Sequence, residues 1–121
     1  MRDVDGDSPM ILNLTRGEKL ADQVRICEKF WSRLLGLLGS AKLDTNEACW
    51  LIPCNSIHTL GMKYPIDVYF LNKENEVIGI TKDLKPNRLT SVHAAAHSVI
   101  EFASGVSRNC EVGDRLAVEM V

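Results

Sequence analysis

The apolar positions of this 121-residue chain alternate more often than they recur at helical spacing. Met10-Ile11-Leu12-Asn13-Leu14 reads as a short strand, and Thr15-Arg16-Gly17-Glu18 as the turn after it, with Gly17 free to take positive φ. Between residues 20 and 27, Leu20, Val24 and Ile26 fall on one face and Gln23 and Arg25 on the other. That pattern predicts one half-buried strand pairing with the first as a hairpin. The period then changes: Phe30, Leu34, Leu37 and Leu38 recur at helical spacing, Trp31 and Leu35 widen the stripe, and Gly39 follows where a helix end favours a left-handed residue. A short helix over residues 29–38 is predicted. Gly36 within it costs roughly 1 kcal/mol relative to alanine and implies close packing onto a sheet or an early end.

Residues 40–46 are polar and loop-like, and 47–52 form the next strand, ended by Pro53, which cannot donate to a ladder. Residues 57–62 are extended but irregular, broken by Gly61. Residues 66–71 are apolar on both faces and predict a central, buried strand. The polar loop Asn72-Lys73-Glu74-Asn75 turns the chain into a partner strand over 76–82. A turn at Lys85-Pro86-Asn87-Arg88 leads to a surface loop with one helical turn near 93–96, then a strand over 97–102 and a turn of helix near 106–110. In the final stretch Leu116, Val118 and Met120 alternate with Arg115, Ala117 and Glu119, the pattern of a strand with one buried face.

About eight short strands with one helix predict a mainly β domain bordering on α+β: a small sandwich, jelly-roll-like, or a barrel, with the helix over an opening or edge. Residues 1–8 read as a disordered lead-in and 9–121 as the single domain.

Composition changes this picture little. Hydrophobic residues make up 45% and charged residues 25%, the range of an ordinary globular domain. A net charge of -2 argues against a nucleic-acid partner held by bulk electrostatics. No stretch approaches the ~18 apolar residues of a membrane span, so no membrane partner is expected. Asp3, Asp5 and Asp7 precede no apolar run, unlike a signal peptide, so a cytoplasmic location is the expectation. A monomer without cofactors is the expectation. Cys27, Cys49, Cys54 and Cys110 form no C-x-x-C pair, and a reducing compartment would keep them as thiols, mostly buried as small hydrophobes.

The chemistry-bearing residues concentrate between Cys49 and Asp67. Cys49, Cys54 and His58 have the spacing C-x4-C-x3-H: three such ligands plus water are the pattern of a catalytic zinc site, whereas a structural site would need a fourth ligand from Cys110, His93 or His97. A thiol nucleophile at Cys54 with His58 as base is a second arrangement, but no glycine-rich elbow surrounds it, and four extended residues separate side chains by about 13 Å. Asp67, amid apolar neighbours, must be hydrogen-bonded. It could hold the His58 imidazole in one tautomer, or cap the loop near residues 61–64, which is the preferred reading. Lys82, Lys85 and Arg88, near His93 and His97, could hold a small anion, although a solvated loop is expected. Trp31 and Trp50 read as core, Glu101 as exposed or paired with an arginine, and Gly113-Asp114 as a turn feeding the last strand.

Five segments together resemble a known family. They are Arg33-Leu34-Leu35-Gly36-Leu37-Leu38-Gly39, the stretch from Pro53 through His58 to Met62, Pro65-Ile66-Asp67-Val68-Tyr69-Phe70-Leu71, Val99-Ile100-Glu101-Phe102-Ala103-Ser104-Gly105, and Val112-Gly113-Asp114-Arg115-Leu116. In this order they are similar to the conserved prokaryotic domain of unknown function 192, over residues 10–120. The resemblance implies a compact, mostly β domain of sandwich or jelly-roll type with a short helix, some relatives being exported, and it carries over no catalytic residue. The chain departs from the family pattern at Leu38, where methionine is common, and around His58-Thr59-Leu60-Gly61-Met62, where many members have a Trp-Met pair.

The function expected from all this is a binding or accessory module. A small ligand or protein partner would meet the 53–63 loop through Asn55, His58, Thr59, Met62 and Lys63, with Asp67 beside them, since polar, glycine- and proline-shaped loops on a rigid sheet are where binding residues collect. The alternative is an enzyme, with or without a metal, built on Cys54, His58 and Asp67.

Overall fold

In the computed structural model, which describes residues 9–27 and 43–120, eight strands form two sheets. The lead-in over 1–8 and the helix predicted over 29–38 lie outside the described residues. The strands are β1 (Pro9–Asn13), β2 (Glu18–Ala21), β3 (Gln23–Cys27), β4 (Glu47–Leu51), β5 (Ile66–Leu71), β6 (Val77–Leu84), β7 (Ser98–Ala103) and β8 (Leu116–Met120). A three-stranded sheet has the order β2-β1-β8, and a five-stranded sheet the order β3-β4-β7-β5-β6. All pairs are antiparallel except β3 with β4. The architecture is a mainly β sandwich, and among the described residues neither sheet closes into a barrel.

Strand periodicity divides the interior in two. On the inner face of the five-stranded sheet, Ala48, Tyr69, Leu71, Ile100 and Phe102 pack with Ile11, Leu20, Ala21 and Leu116 of the smaller sheet. The outer face carries Cys49, Leu51, Ile66, Val68, Phe70 and Val99, covered by Cys54, Ile57 and Met62 from the loop between β4 and β5. Because both faces are buried, β5 and β7 are buried at every position. This is why residues 66–71 read as a continuous apolar run rather than an alternating one. The central strand is β7, and β5 lies beside it, next to the edge strand β6.

Two strand boundaries differ from the sequence expectation. The single strand expected over 20–27 is two strands in different sheets. At Asp22 the chain leaves β1, and the Asp22 and Gln23 amides both donate to the Asn46 carbonyl (2.9 and 3.2 Å), which starts β3 alongside β4. Alternation records which face a residue occupies, not which sheet, so the crossing is invisible to it. The extended stretch at 57–62 contributes only an isolated bridge, His58 with Leu89. Near residue 93 the expected turn is present, closed by the Ala96 amide on the His93 carbonyl (2.8 Å), whereas residues 106–110 are not helical. Glu101, which faces away from Ile100 and Phe102 as alternation requires, is buried on the outer face rather than exposed.

Candidate functional site

The outer cover is built from two loops that run past each other. Bonds from the His93 amide to the Asn55 carbonyl, the Thr90 amide to the Ile57 carbonyl, and the Thr59 amide to the Arg88 carbonyl (each 2.9 Å) tie residues 55–61 to residues 87–93. Ile52-Pro53 is a cis peptide, and the next amide, Cys54, donates to the His97 carbonyl (3.0 Å). Thr59 is the fastening. Fully buried, its hydroxyl donates to the Lys85 carbonyl (2.6 Å) and accepts from the Arg88 amide (2.9 Å). The Asn87 side chain accepts from the Gly61 amide (3.0 Å), and Thr90 Oγ1 from the Ile57 amide (3.0 Å). A loop lying on a core has no ladder to satisfy its amides, so side chains do it.

His93 locks the second loop onto the sheet. Its ring stacks on Phe70, with centroids 3.8 Å apart and planes at 15°. The ring lies over Gly79, where an added Cβ would come within 2.7 Å of His93 Nε2. Glycine at that position makes room for the imidazole.

The residues expected to form a site separate into three groups. Cys54, Thr59 and Met62 are buried in the cover and hold it together. Asn55 and Lys63 are exposed, and His58 is partly exposed with a buried Nδ1 that has no partner. Asp67 belongs elsewhere. By strand alternation it points to the inner side of the sheet with Tyr69 and Leu71, away from the loops that carry His58.

Its partners there explain how a carboxylate is buried between apolar neighbours. Asp67 Oδ1 accepts from the Asp83 amide (2.8 Å), at a bulge where Asp83 adopts φ 54° and its N–H leaves the ladder. Oδ2 faces Arg108, whose Nη1 is 3.3 Å away and also donates to the Ala103 carbonyl (3.1 Å). The Arg108 guanidinium lies 4.3 Å from the Phe102 ring centroid. Burial draws its pKa below the ordinary value, with Tyr69 and Asp67 opposing that. The loop-capping and histidine-orienting roles considered for Asp67 are both replaced by this clamp.

A second buried carboxylate, Asp114, is held the same way. Its Oδ2 accepts from Arg16 Nε (2.6 Å), Asn13 Nδ2 (2.9 Å) and the Glu111 amide (3.0 Å), joining the end of β1 to the turn before β8. The Arg16 and Asn13 bonds pull its pKa down to about 2.

Among the described residues the cysteines belong to no cluster of metal-ligating side chains. Cys49 is engaged in a disulfide, contrary to the expectation of four thiols, and so is not a thiolate ligand. The Cys54 thiol donates to the Ser56 carbonyl (3.1 Å). Cys110 is free but buried, and burial pushes its pKa up to about 11. Among the described residues no three His, Cys, Asp or Glu side chains converge as metal ligands would. An open depression beside Cys54, lined by Pro53, Asn55, Ala96 and His97, has a volume of only about 160 Å³.

Comparison with known proteins agrees with the fold. The family model for the domain of unknown function 192, described as an uncharacterized ACR, matches residues 12–118. The chain belongs to this family. It is 34% identical to a UPF0127 protein of Pyrococcus furiosus over 113 residues, covering 88% of this chain and 95% of that one. It is 32% identical to a UPF0127 protein of Pyrococcus horikoshii over 114 residues, covering 88% and 96%. A crystal structure of a protein of unknown function from Novosphingobium aromaticivorans superposes with a TM-score of 0.70 at 16% identity, covering 90% of this chain and 83% of that one. A crystal structure of a protein named as a transcription regulator, from Sinorhizobium meliloti, superposes with a TM-score of 0.68 at 16% identity, covering 93% and 92%.

Within this member of the domain of unknown function 192 family, the surface of the loop pair holds residues that sequence reading passed over. Leu60, Leu89 and Val92 are 58%, 74% and 66% exposed, and Ile52 at the entry to the first loop is 37% exposed. Nothing in local periodicity separates an exposed leucine in a loop from a buried one. Arg108, 41 residues from Asp67, was equally unmarked.

Proposed function

We propose that this chain is a binding module that works through the solvent side of the paired loops, and that its partner is a protein. One observation carries the reading. Of the seven exposed large hydrophobic residues among those described, Ile52, Leu60, Leu89 and Val92 lie on these two loops, with Leu14, Ile26 and Val112 scattered elsewhere. Single exposed apolar residues are ordinary, but a group of them on a surface fastened from beneath is how contact sites are made. The size of the depression beside Cys54 favours a protein over a small molecule there. The depression beside Cys54 offers about 160 Å³, against the roughly 300–1,000 Å³ of a typical ligand pocket.

Of the residues first expected to contact a ligand, Asn55, His58 and Lys63 belong to this surface, while Thr59 and Met62 support it from inside. A photo-crosslinking side chain at position 89, in cells, tests the assignment against the same probe at position 73 on the hairpin between β5 and β6. Discrete adducts at 89 and none at 73 are expected. Equal labelling, or magnetic resonance shifts from a metabolite set centred on the depression instead, would reject it.

Among the described residues no helix is long and apolar enough to cross a membrane. For the compartment, the disulfide at Cys49 favours an oxidising one over the cytoplasm first expected, except in hyperthermophiles, whose intracellular proteins keep disulfides. Cell fractionation separates the two, and alkylation of Cys49 before and after reduction tests the disulfide itself.

A further inference from the structure

The charges around the loop pair identify the kind of partner. Residues 52–65 and 85–97, which form it, contain no aspartate or glutamate, although 16 acidic residues in 121 would put about four in these 27 positions. They carry Lys63, Lys85 and Arg88 and all three histidines of the chain. The other positions therefore hold 11 of the 14 lysines and arginines against all 16 acidic residues, and the small net charge conceals a division. Lys85 is committed to Asp83 (2.6 Å). Lys63 and Arg88 are exposed and have no ion-pair partner among the described residues.

We infer that the surface receives an acidic amphipathic protein segment, with Leu60, Leu89 and Val92 meeting its apolar side and Lys63 and Arg88 its carboxylates. The inference rests on the loop pair being the contact surface and adds the selection by charge. Apolar contacts supply attraction without discrimination, and a rim of one sign excludes partners of the same sign. An anionic membrane is the poorer fit. Lipid-reading clusters gather about four to eight lysines and arginines. Here, among the described residues, the loop pair offers two cations without an ion-pair partner, Lys63 and Arg88.

Three labelled amphipathic peptides test it, alike in their leucines and carrying glutamate, glutamine or lysine on the polar face, titrated by fluorescence anisotropy against the full chain. The glutamate peptide is expected to bind about tenfold more tightly than the lysine peptide, and to weaken several-fold as salt screens the pairs. The double substitution Lys63→Glu with Arg88→Glu should reverse that order, while Leu89→Ser should weaken all three alike. All substituted side chains are exposed, and native amide spectra verify folding. Equal binding of the three peptides, or no effect of the charge reversals, overturns the acidic partner and leaves the apolar contact surface standing. Binding to vesicles containing phosphatidylglycerol, with no peptide bound, overturns it in favour of lipid. If no peptide binds and position 89 yields no crosslinks, both readings fail together.

Discussion

The two faces of the five-stranded sheet are buried by different means. Over the inner face lies a second sheet, whose backbone groups pair in ladders and whose apolar residues arrive at strand spacing: Ile11, Leu20 and Leu116. Over the outer face lie two irregular loops, stitched together by Thr59, Asn87 and Thr90. A covering strand must alternate, so its solvent side is dictated by its buried side. A covering loop is freer. Its buried residues fasten it, and the residues between them can be chosen for contact, which is how Leu60 and Leu89 come to stand in solvent beside buried Thr59 and Ile57.

The largest test of this contrast is in the inner core. Phe102 is fully buried, meets Tyr69 edge-on at 5.1 Å and lies beneath Arg108, so Phe102→Ala should cost about 3–5 kcal/mol in denaturant titrations. In the outer cover, Thr59→Val keeps the shape of the side chain but strands the Arg88 amide and the Lys85 carbonyl, at about 1–3 kcal/mol. Hydrogen exchange should quicken at Thr59, Asn87 and Arg88 while β1 and β8 stay protected. Loss of protection in both places would show the two covers to be one cooperative unit. Gly79→Ala should cost about 1–2 kcal/mol, because its methyl group displaces the His93 ring from Phe70, and the ring-current shift at His93 should disappear.

Two smaller signals come from ionisation. Asp114 titrates near 2 in the folded chain against an ordinary 3.8, so it contributes stability above about pH 4 that is lost as pH falls toward 2. That part of the acid slope should be missing in Asp114→Asn. Cys110, with its pKa near 11, should resist alkylation at neutral pH until the chain unfolds.

Much of the strand inventory could be read directly. β5 was visible as six apolar-dominated residues between Pro65 and a polar turn, and β8 as strict alternation. The strand count of eight was also reached, but through different members: the break at Asp22 adds one, and the irregular stretch at 57–62 removes one. The candidate site was less legible. Its place, the loop after Pro53, was marked by irregular backbone chemistry. The second half, residues 85–97, read only as a surface loop, because the bonds joining His93 to Asn55 and Arg88 to Thr59 span some thirty residues or more.

Asp67 shows where reading along the chain stops. That a carboxylate amid Ile66, Val68, Tyr69 and Phe70 must be partnered followed from desolvation alone. That the partner is Arg108, and that His58 lies beyond the opposite side of the sheet, follows from which strands are neighbours. The sequence by itself determined the strands, the faces of their side chains and the need to satisfy each buried charge, because these depend on period and on local solvation. The tertiary structure alone decided which loops meet, which carboxylate finds which arginine, and which leucines are left facing water. These depend on contacts between residues far apart in the chain, and no local pattern encodes such contacts.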